Sequence, residues 1–253
     1  MTRPGIALAP SPAWAYFLDI DGTLVAIARS PGQVRIDRSL RSAIEALHEA
    51  TGGAVALITG RGIADVDRLF PGIRLAAAGQ HGIERRSARG RISLHAAPSL
   101  RPAAVHKLAE SVARYAGLQL ENKGRSLAIH YRGAPRLGGY VHRLAHTMVA
   151  RLGKAYCAQS GKRVVEIRPA SKDKGTAIQE FMREPPFAGR IPVFLGDDRT
   201  DEHGFVMVNR LGGHSLKIGP GPTAARWRLR DVAAARAWLH RAHAESDGRR
   251  ELS

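Results

Sequence analysis

The sequence predicts an α/β protein: an open, largely parallel sheet with a small α+β module inserted in its middle. Three observations predict it. Apolar runs at Tyr16–Ile20 (YFLDI), Ala54–Gly60 (AVALITG), Ile73–Gly79 (IRLAAAG) and Ile191–Asp198 (IPVFLGDD) have the length and continuity of strands buried on both faces. Helical patterns lie between some of them, at Ser39–Glu49 and Lys174–Arg183. Three of the runs end in polar, glycine-flanked clusters (DGT, TGR and GDD), at the carboxyl ends of strands where open α/β sheets hold their ligands.

In chain order, the opening MTRPGIALAPSPAW carries one Arg and a short apolar patch broken by prolines, which reads as a leader strand or tail and not as a signal peptide. The first run, the Ser39–Glu49 helix and the next two runs follow. The middle then changes character. Leu100–Tyr115 is an amphipathic helix, followed by LQLENK, a KGR turn and SLAIHYR; Pro135–Leu152 is helical, followed by KAYCAQ, an SGK turn and RVVEIRP. Adjacent hairpins make that second sheet antiparallel. The expected division is core 1–98, inserted module 99–168 and core 169–253, with Pro98 and Pro169 as punctuation. The last ten residues, AESDGRRELS, read as a frayed tail.

Composition excludes several classes. With 44% hydrophobic and 24% charged residues the chain buries a core and is not disordered. It holds no apolar run long enough to span a bilayer, and the lone Cys157 excludes an internal disulfide and fits a cytoplasmic location. The net charge of +17 comes from 39 Lys and Arg scattered through every segment, without dense runs or aromatic interleaving. Neither a nucleic-acid nor a membrane partner is expected from it.

The clusters carry the chemistry. Asp19 and Asp21 stand two apart, so on extended chain both carboxylates face one side. Two like charges so close need a cation between them or one raised pKa, and a hard ion such as Mg²⁺ meets that need. One acid can attack phosphorus while the other gives its proton to the leaving alcohol; the plainer reading is Asp–Gly turn chemistry. Thr59 and Gly60 can hold a phosphate oxygen, or Thr59 can cap the next helix. Arg61 either reaches a substrate or pairs at the surface. Lys174 opens a helix and can neutralise a phosphate and a carboxylate, with Lys172 as a neighbouring competitor. In GDDRTDE, Asp197 is the first candidate inner-sphere ligand, while Asp201 or Glu202 caps a helix start.

DxDGT, a strand-end Thr–Gly–Arg, Lys–Gly and GDDxTDE, in this order, resemble the four motifs of the haloacid dehalogenase-like phosphatases. GQHGIE, ENKGRSLAIHYR, VVEIRPASKDKG and KIGPGPTAARWRLRDVAAARAWL narrow the resemblance to trehalose-6-phosphate phosphatases, from about Tyr16 to Leu239. The resemblance implies a Rossmann-like core interrupted by a mobile cap between the second and third motifs. It implies Asp19 as nucleophile, Asp21 as general acid and base, and Thr59, Gly60 and Lys174 on the transferring phosphoryl group. Mg²⁺ would lie on Asp19, the Asp21 carbonyl and Asp197, with Asp198 close behind.

In SLAIHYR, Ser126, Ala128, His130 and Arg132 share one face and Leu127, Ile129 and Tyr131 the other. The first set suits a pocket. By resemblance Glu121, Lys123 and Glu166 would meet sugar hydroxyls, with His130 and Arg132 on the same face, Arg61 nearby and His81 at the cap–core cleft. A solvated polar sheet face gives the same pattern. His142 and His146 lack a third ligand and read as a solvated helix face, and GPG at Gly219–Gly221 is a loop. The expectation is therefore a monomeric, Mg²⁺-dependent phosphatase acting on a small sugar phosphate. Alternatives are a phosphatase for another sugar phosphate or a non-catalytic sugar-phosphate-binding domain.

Overall fold

The computed structural model describes residues 9–28, 31–95 and 100–250. The expected leader at residues 1–8 and the Pro98 boundary lie outside them. The elements run β1 (Trp14–Leu18), α1 (Arg38–Ala50), β2 (Val55–Ile58), α2 (Ile63–Leu69), β3 (Ala76–Gly79), β4 (Glu84–Arg86) and β5 (Ile92–Leu94). The middle holds α3 (Pro102–Ala113), β6 (Gln119–Asn122), β7 (Leu127–His130), α4 (Gly138–Leu152), β8 (Tyr156–Gly161) and β9 (Val164–Pro169). The chain ends with α5 (Lys174–Phe181), β10 (Ile191–Gly196), α6 (Glu202–Arg210), β11 (His214–Ile218), β12 (Trp227–Leu229) and α7 (Val232–Arg250).

All four apolar runs are strands of one sheet, ordered β12-β11-β10-β1-β2-β3-β4-β5. From β12 to β3 every pair is parallel; β4 and β5 return antiparallel at one edge. The central strand β1 is buried throughout, and its alternation splits two cores. Tyr16 and Leu18 pack with Trp238 and the apolar stripe of α1, while Phe17 packs with Phe181, Phe187 and Phe194. Helices on both faces leave the carboxyl ends of the strands as the open edge. Asp37 caps α1, accepting from the Leu40 N–H at 2.9 Å.

The inserted module forms its own antiparallel sheet, ordered β6-β7-β9-β8. Leu127 and Ile129 point with Val165 and Ile167 into a core closed by Leu108, Val112, Val141 and Ala145 of α3 and α4. Tyr131 packs against the same cluster. Because α3 and α4 cover that face, the polar face of the sheet is left to turn toward the core domain. The C-terminal expectation is corrected: α7 continues through Arg250. The segment Ala244–Arg250 holds helix-compatible residues without an apolar stripe, which the sequence pattern read as a tail.

Candidate active site

Three parallel strands deliver one residue each to the same edge. Asp19, Thr59 and Asp197 directly follow β1, β2 and β10, and all three are buried. Lys174 arrives from the first turn of α5, whose start is fixed by a reciprocal capping box between Asp173 and Thr176. Its Nζ donates to Asp19 Oδ1 at 2.7 Å and to Asp201 Oδ1 at 2.5 Å. Thr23 donates its hydroxyl to Asp19 Oδ2 at 3.0 Å. Thr59 lines the same cavity; the N-cap of α2 is instead Gly62, without a side-chain cap. Gly22 makes the turn possible. It has φ 89°, and a Cβ there would stand 2.1 Å from Asp197 Oδ2.

Asp201 does more than begin a helix. Its Oδ2 accepts from the N–H groups of Asp197 at 2.9 Å and Asp198 at 2.8 Å, which shapes the acidic loop around Lys174. Asp198 lines the cavity and accepts from the Lys162 N–H at 3.3 Å. Among the described residues, the acids close enough to share an ion are Asp19, Asp197 and Asp201; His142 and His146 on α4 are not part of that group. Lys172 lies aside from it, paired with Glu180.

Electrostatics favour a further cation. Burial raises Asp19 well above the usual carboxylate range; Lys174 opposes this, and Asp201 and Asp197 reinforce it. Burial also raises Asp197 against the pull of Lys162. Lys174 remains charged: burial disfavours its ammonium, but Asp19 and Asp201 hold its pKa well above the ordinary value. Asp197 Oδ1 is buried without a hydrogen-bond partner. An oxygen left bare among clustered carboxylates fits a hard divalent cation, which prefers carboxylates and water. Asp197 suits a direct ligand through its bare Oδ1, and Asp19 through Oδ2, which accepts only the rotatable Thr23 hydroxyl; the Asp201 oxygens are held by Lys174 and two backbone N–H groups.

The cap sheet presents its polar face over this edge. Lys123 Nζ donates to Glu166 Oε1 at 2.6 Å and to the Gly60 carbonyl at 2.9 Å. His81 Nε2 lies 2.6 Å from Glu166 Oε2, so Nε2 carries the hydrogen and Nδ1 remains a buried, unpartnered acceptor. Burial alone would raise Glu166, but the His81 N–H and the Lys123 ammonium beside it hold it well below the carboxylate range. Burial holds His81 below its ordinary value despite Glu166. His130 Nε2 lies 2.8 Å from Glu121 Oε2, and Ser126 donates to Gln80 Oε1 at 3.0 Å. Arg132 donates to the Ala28 carbonyl, and Lys162 pairs with Asp197. The cap is thus closed on the core over a cavity of about 150 Å³.

That one cavity brings together Asp19, Asp21, Thr59, Gly60, Lys174, Asp197 and Asp198 with Arg61, His81, Glu121, Lys123, His130, Arg132 and Glu166. Arg61 lines it with its guanidinium forked onto Asp21. Arg168 shares a strand side with Glu166 but turns to Gln159 and the Lys172 carbonyl. Sequence reasoning missed Lys162, Gln159, Gln80 and Lys217, whose Nζ holds the Asp197 carbonyl. Lys162 sits in the SGK turn, and no local pattern separates it from the other scattered cations.

A parallel sheet with this acid–threonine–lysine edge and an inserted antiparallel cap defines the haloacid dehalogenase-like fold. A Bacteroides thetaiotaomicron phosphatase of the haloalkanoate (HAD) superfamily superposes with TM-score 0.60 at 14% identity, covering 94% of this chain and 96% of that one. The C-terminal domain of Candida albicans trehalose-6-phosphate phosphatase superposes with TM-score 0.79 at 20% identity, covering 90% and 91%. Within that fold class, the trehalose-phosphatase family model matches residues 17–233, and the chain belongs to that family. It is 43% identical to the trehalose-6-phosphate phosphatase of Escherichia coli K12 over 230 residues, 90% of this chain and 86% of that one. A probable trehalose-phosphate phosphatase of Sinorhizobium fredii is likewise 43% identical over 224 residues, 88% and 84% of the two chains.

Proposed function

We propose that the chain is a Mg²⁺-dependent phosphatase that hydrolyses trehalose 6-phosphate to trehalose and phosphate, with Asp19 as the nucleophile. The observation that carries the reading is the state of Asp19: buried at a strand end and held by Lys174 and Thr23 beside the bare Asp197 oxygen. An anion must attack an anion here, so positive charge at the reacting centre is the first requirement. Lys174 supplies it on one side of Asp19. Mg²⁺ held by Asp19, Asp197 and the Asp21 carbonyl, with Asp198 nearby, would neutralise further phosphate charge.

In the first half, an Asp19 oxygen bonds to phosphorus as the bond to the sugar oxygen breaks, and Asp21 protonates that oxygen. In the second half, Asp21 takes a proton from water, whose oxygen bonds to phosphorus and releases Asp19. Thr59 and Gly60 would hold the phosphoryl oxygens during both. The segment 99–168 acts as the cap, and Glu121, Lys123 and Glu166, with His81, His130 and Arg132 around them, would read the disaccharide hydroxyls. Trehalose would displace the pairs that these groups now make with one another. The closed cavity is below the 300–1,000 Å³ or so of ordinary ligand pockets, so the cap must open to admit substrate. The single Cys157 supports a cytoplasmic setting, and we take the active unit to be a monomer.

Phosphate release from a panel of sugar phosphates, with Mg²⁺ or EDTA, tests the reading in wild type and Asp19→Asn. Metal-dependent preference for trehalose 6-phosphate, lost in Asp19→Asn, is the expected result. Equal turnover of several sugars would remove the cap assignment, and no release from folded protein would remove the phosphatase.

A further inference from the structure

Arg61 is built as a fixed arm. Its N–H donates to Thr59 Oγ1 at 3.2 Å, and its carbonyl accepts from the Gln80 N–H at 2.8 Å, so its backbone is tied to both β2 and the loop after β3. From that base the guanidinium forks onto Asp21, with Nε 2.6 Å from Oδ2 and Nη2 2.7 Å from Oδ1. The Asp21 side chain is 34% exposed, whereas that of Arg61 is 10% exposed. A carboxyl that open to water rotates freely unless something holds it. What a two-point fork supplies is a fixed carboxyl plane.

We propose that Arg61 is the positioning residue for proton transfer by Asp21, an inference that rests on the phosphatase reading above. When Asp21 protonates the leaving oxygen, one N–H···O bond keeps the carboxyl in register while its other oxygen delivers the proton. Once Asp21 has given up that proton, both bonds close on the carboxylate, and one opens again as an oxygen takes the proton from water. A Lys at this place has no planar fork and cannot set that plane. Arg61 therefore acts through Asp21 and not on the sugar.

The test is a double-mutant cycle in Arg61→Ala and Asp21→Asn, with circular dichroism to confirm folding, read as kcat/KM on two phosphate esters. This constant covers the steps through departure of the alcohol. The sugar oxygen of trehalose 6-phosphate must be protonated as it leaves; 4-nitrophenolate leaves from 4-nitrophenyl phosphate without a proton. Arg61→Ala is expected to lower kcat/KM for trehalose 6-phosphate by about 10²-fold, the lower end of general acid–base effects, and at least about tenfold less for the aryl ester. In the Asp21→Asn background the same substitution is expected to cost under about threefold more on the sugar ester. Arg61→Lys should resemble Arg61→Ala.

Equal losses on both esters would overturn the proposal, as would an undiminished Arg61→Ala loss in the Asp21→Asn background, which would put Arg61 on the substrate. A wild type that cleaves the aryl ester but not trehalose 6-phosphate refutes the substrate reading alone, and the cycle is then decided on the alkyl phosphate it does cleave. Folded wild type that cleaves no phosphate ester overturns both.

Discussion

Replacing Lys174 with methionine removes the one ammonium that lies between two buried acids. The side chains of Lys174, Asp19 and Asp201 are 3%, 6% and 0% exposed, so water cannot replace the lost charge. Removing one partner of a buried ion pair costs about 3–5 kcal/mol. Asp201 keeps two backbone donors and Asp19 keeps the Thr23 hydroxyl, which places the cost at the lower end, about 3 kcal/mol. For a chain of this size that is a fall of roughly 6–12 °C in Tm. The sign with pH follows from the acids. Burial already raises Asp19, and losing Lys174 raises it further, so protonation at lower pH relieves the strain. Urea unfolding of wild type and Lys174→Met at pH 8 and pH 5, both without added metal, measures this. The gap should narrow toward pH 5. A loss below about 1 kcal/mol at pH 8, well under the expected range, or a gap that widens on acidification, would refute the reasoning.

Three further outcomes are expected. Gly22→Ala combines a positive φ with a clash against Asp197 Oδ2 and should weaken Mg²⁺ binding at least about tenfold by calorimetry, since it displaces a ligand. Asp197→Asn should weaken Mg²⁺ binding similarly while leaving the fold intact by circular dichroism, because the Asp201 contacts use the Asp197 backbone. Cap closure should weaken as pH falls below His81's ordinary value of 6.5. Burial, with Lys174 and Lys123 beside the ring, outweighs the pull of Glu166 and makes the closed form refuse a proton that the open form binds, while the depressed Glu166 stays ionised through that window. Hydrogen exchange in β6–β9, corrected for intrinsic rates, reads it, and His81→Gln should flatten the dependence.

The strand ends were legible because β1, β2 and β10 are apolar on both faces and stop at polar residues, a pattern that needs no long-range knowledge. The same reasoning passed over β4 and β5, since ERR and ISL at a sheet edge are polar or short. Arg86 is buried in β4 only because Asp67 and the Leu75 carbonyl receive it, partners that no periodicity reveals. Likewise β12 has three residues and follows a proline- and glycine-rich loop. Within the site, Asp201 read as a helix-start acid, and it does lie at one, yet its carboxylate turns back to the loop and Lys174. The sequence leaves Arg61 between substrate and surface, and the fold pairs it with Asp21 at the cavity wall. The cap face followed from alternation in SLAIHYR, but its polar contacts with the Gly60 carbonyl, His81 and Asp197 exist only once the cap lies over the core.

The central claim is that Asp19 carries the phosphoryl group taken from trehalose 6-phosphate. Its most direct test is a rapid acid quench of the wild-type protein with phosphate-labelled trehalose 6-phosphate and Mg²⁺, followed by peptide mapping. The account predicts label on the peptide that contains Asp19, formed and lost within the turnover time and absent from Asp19→Asn. Label on a different residue, or trehalose release with no labelled protein at any quench time, would contradict it.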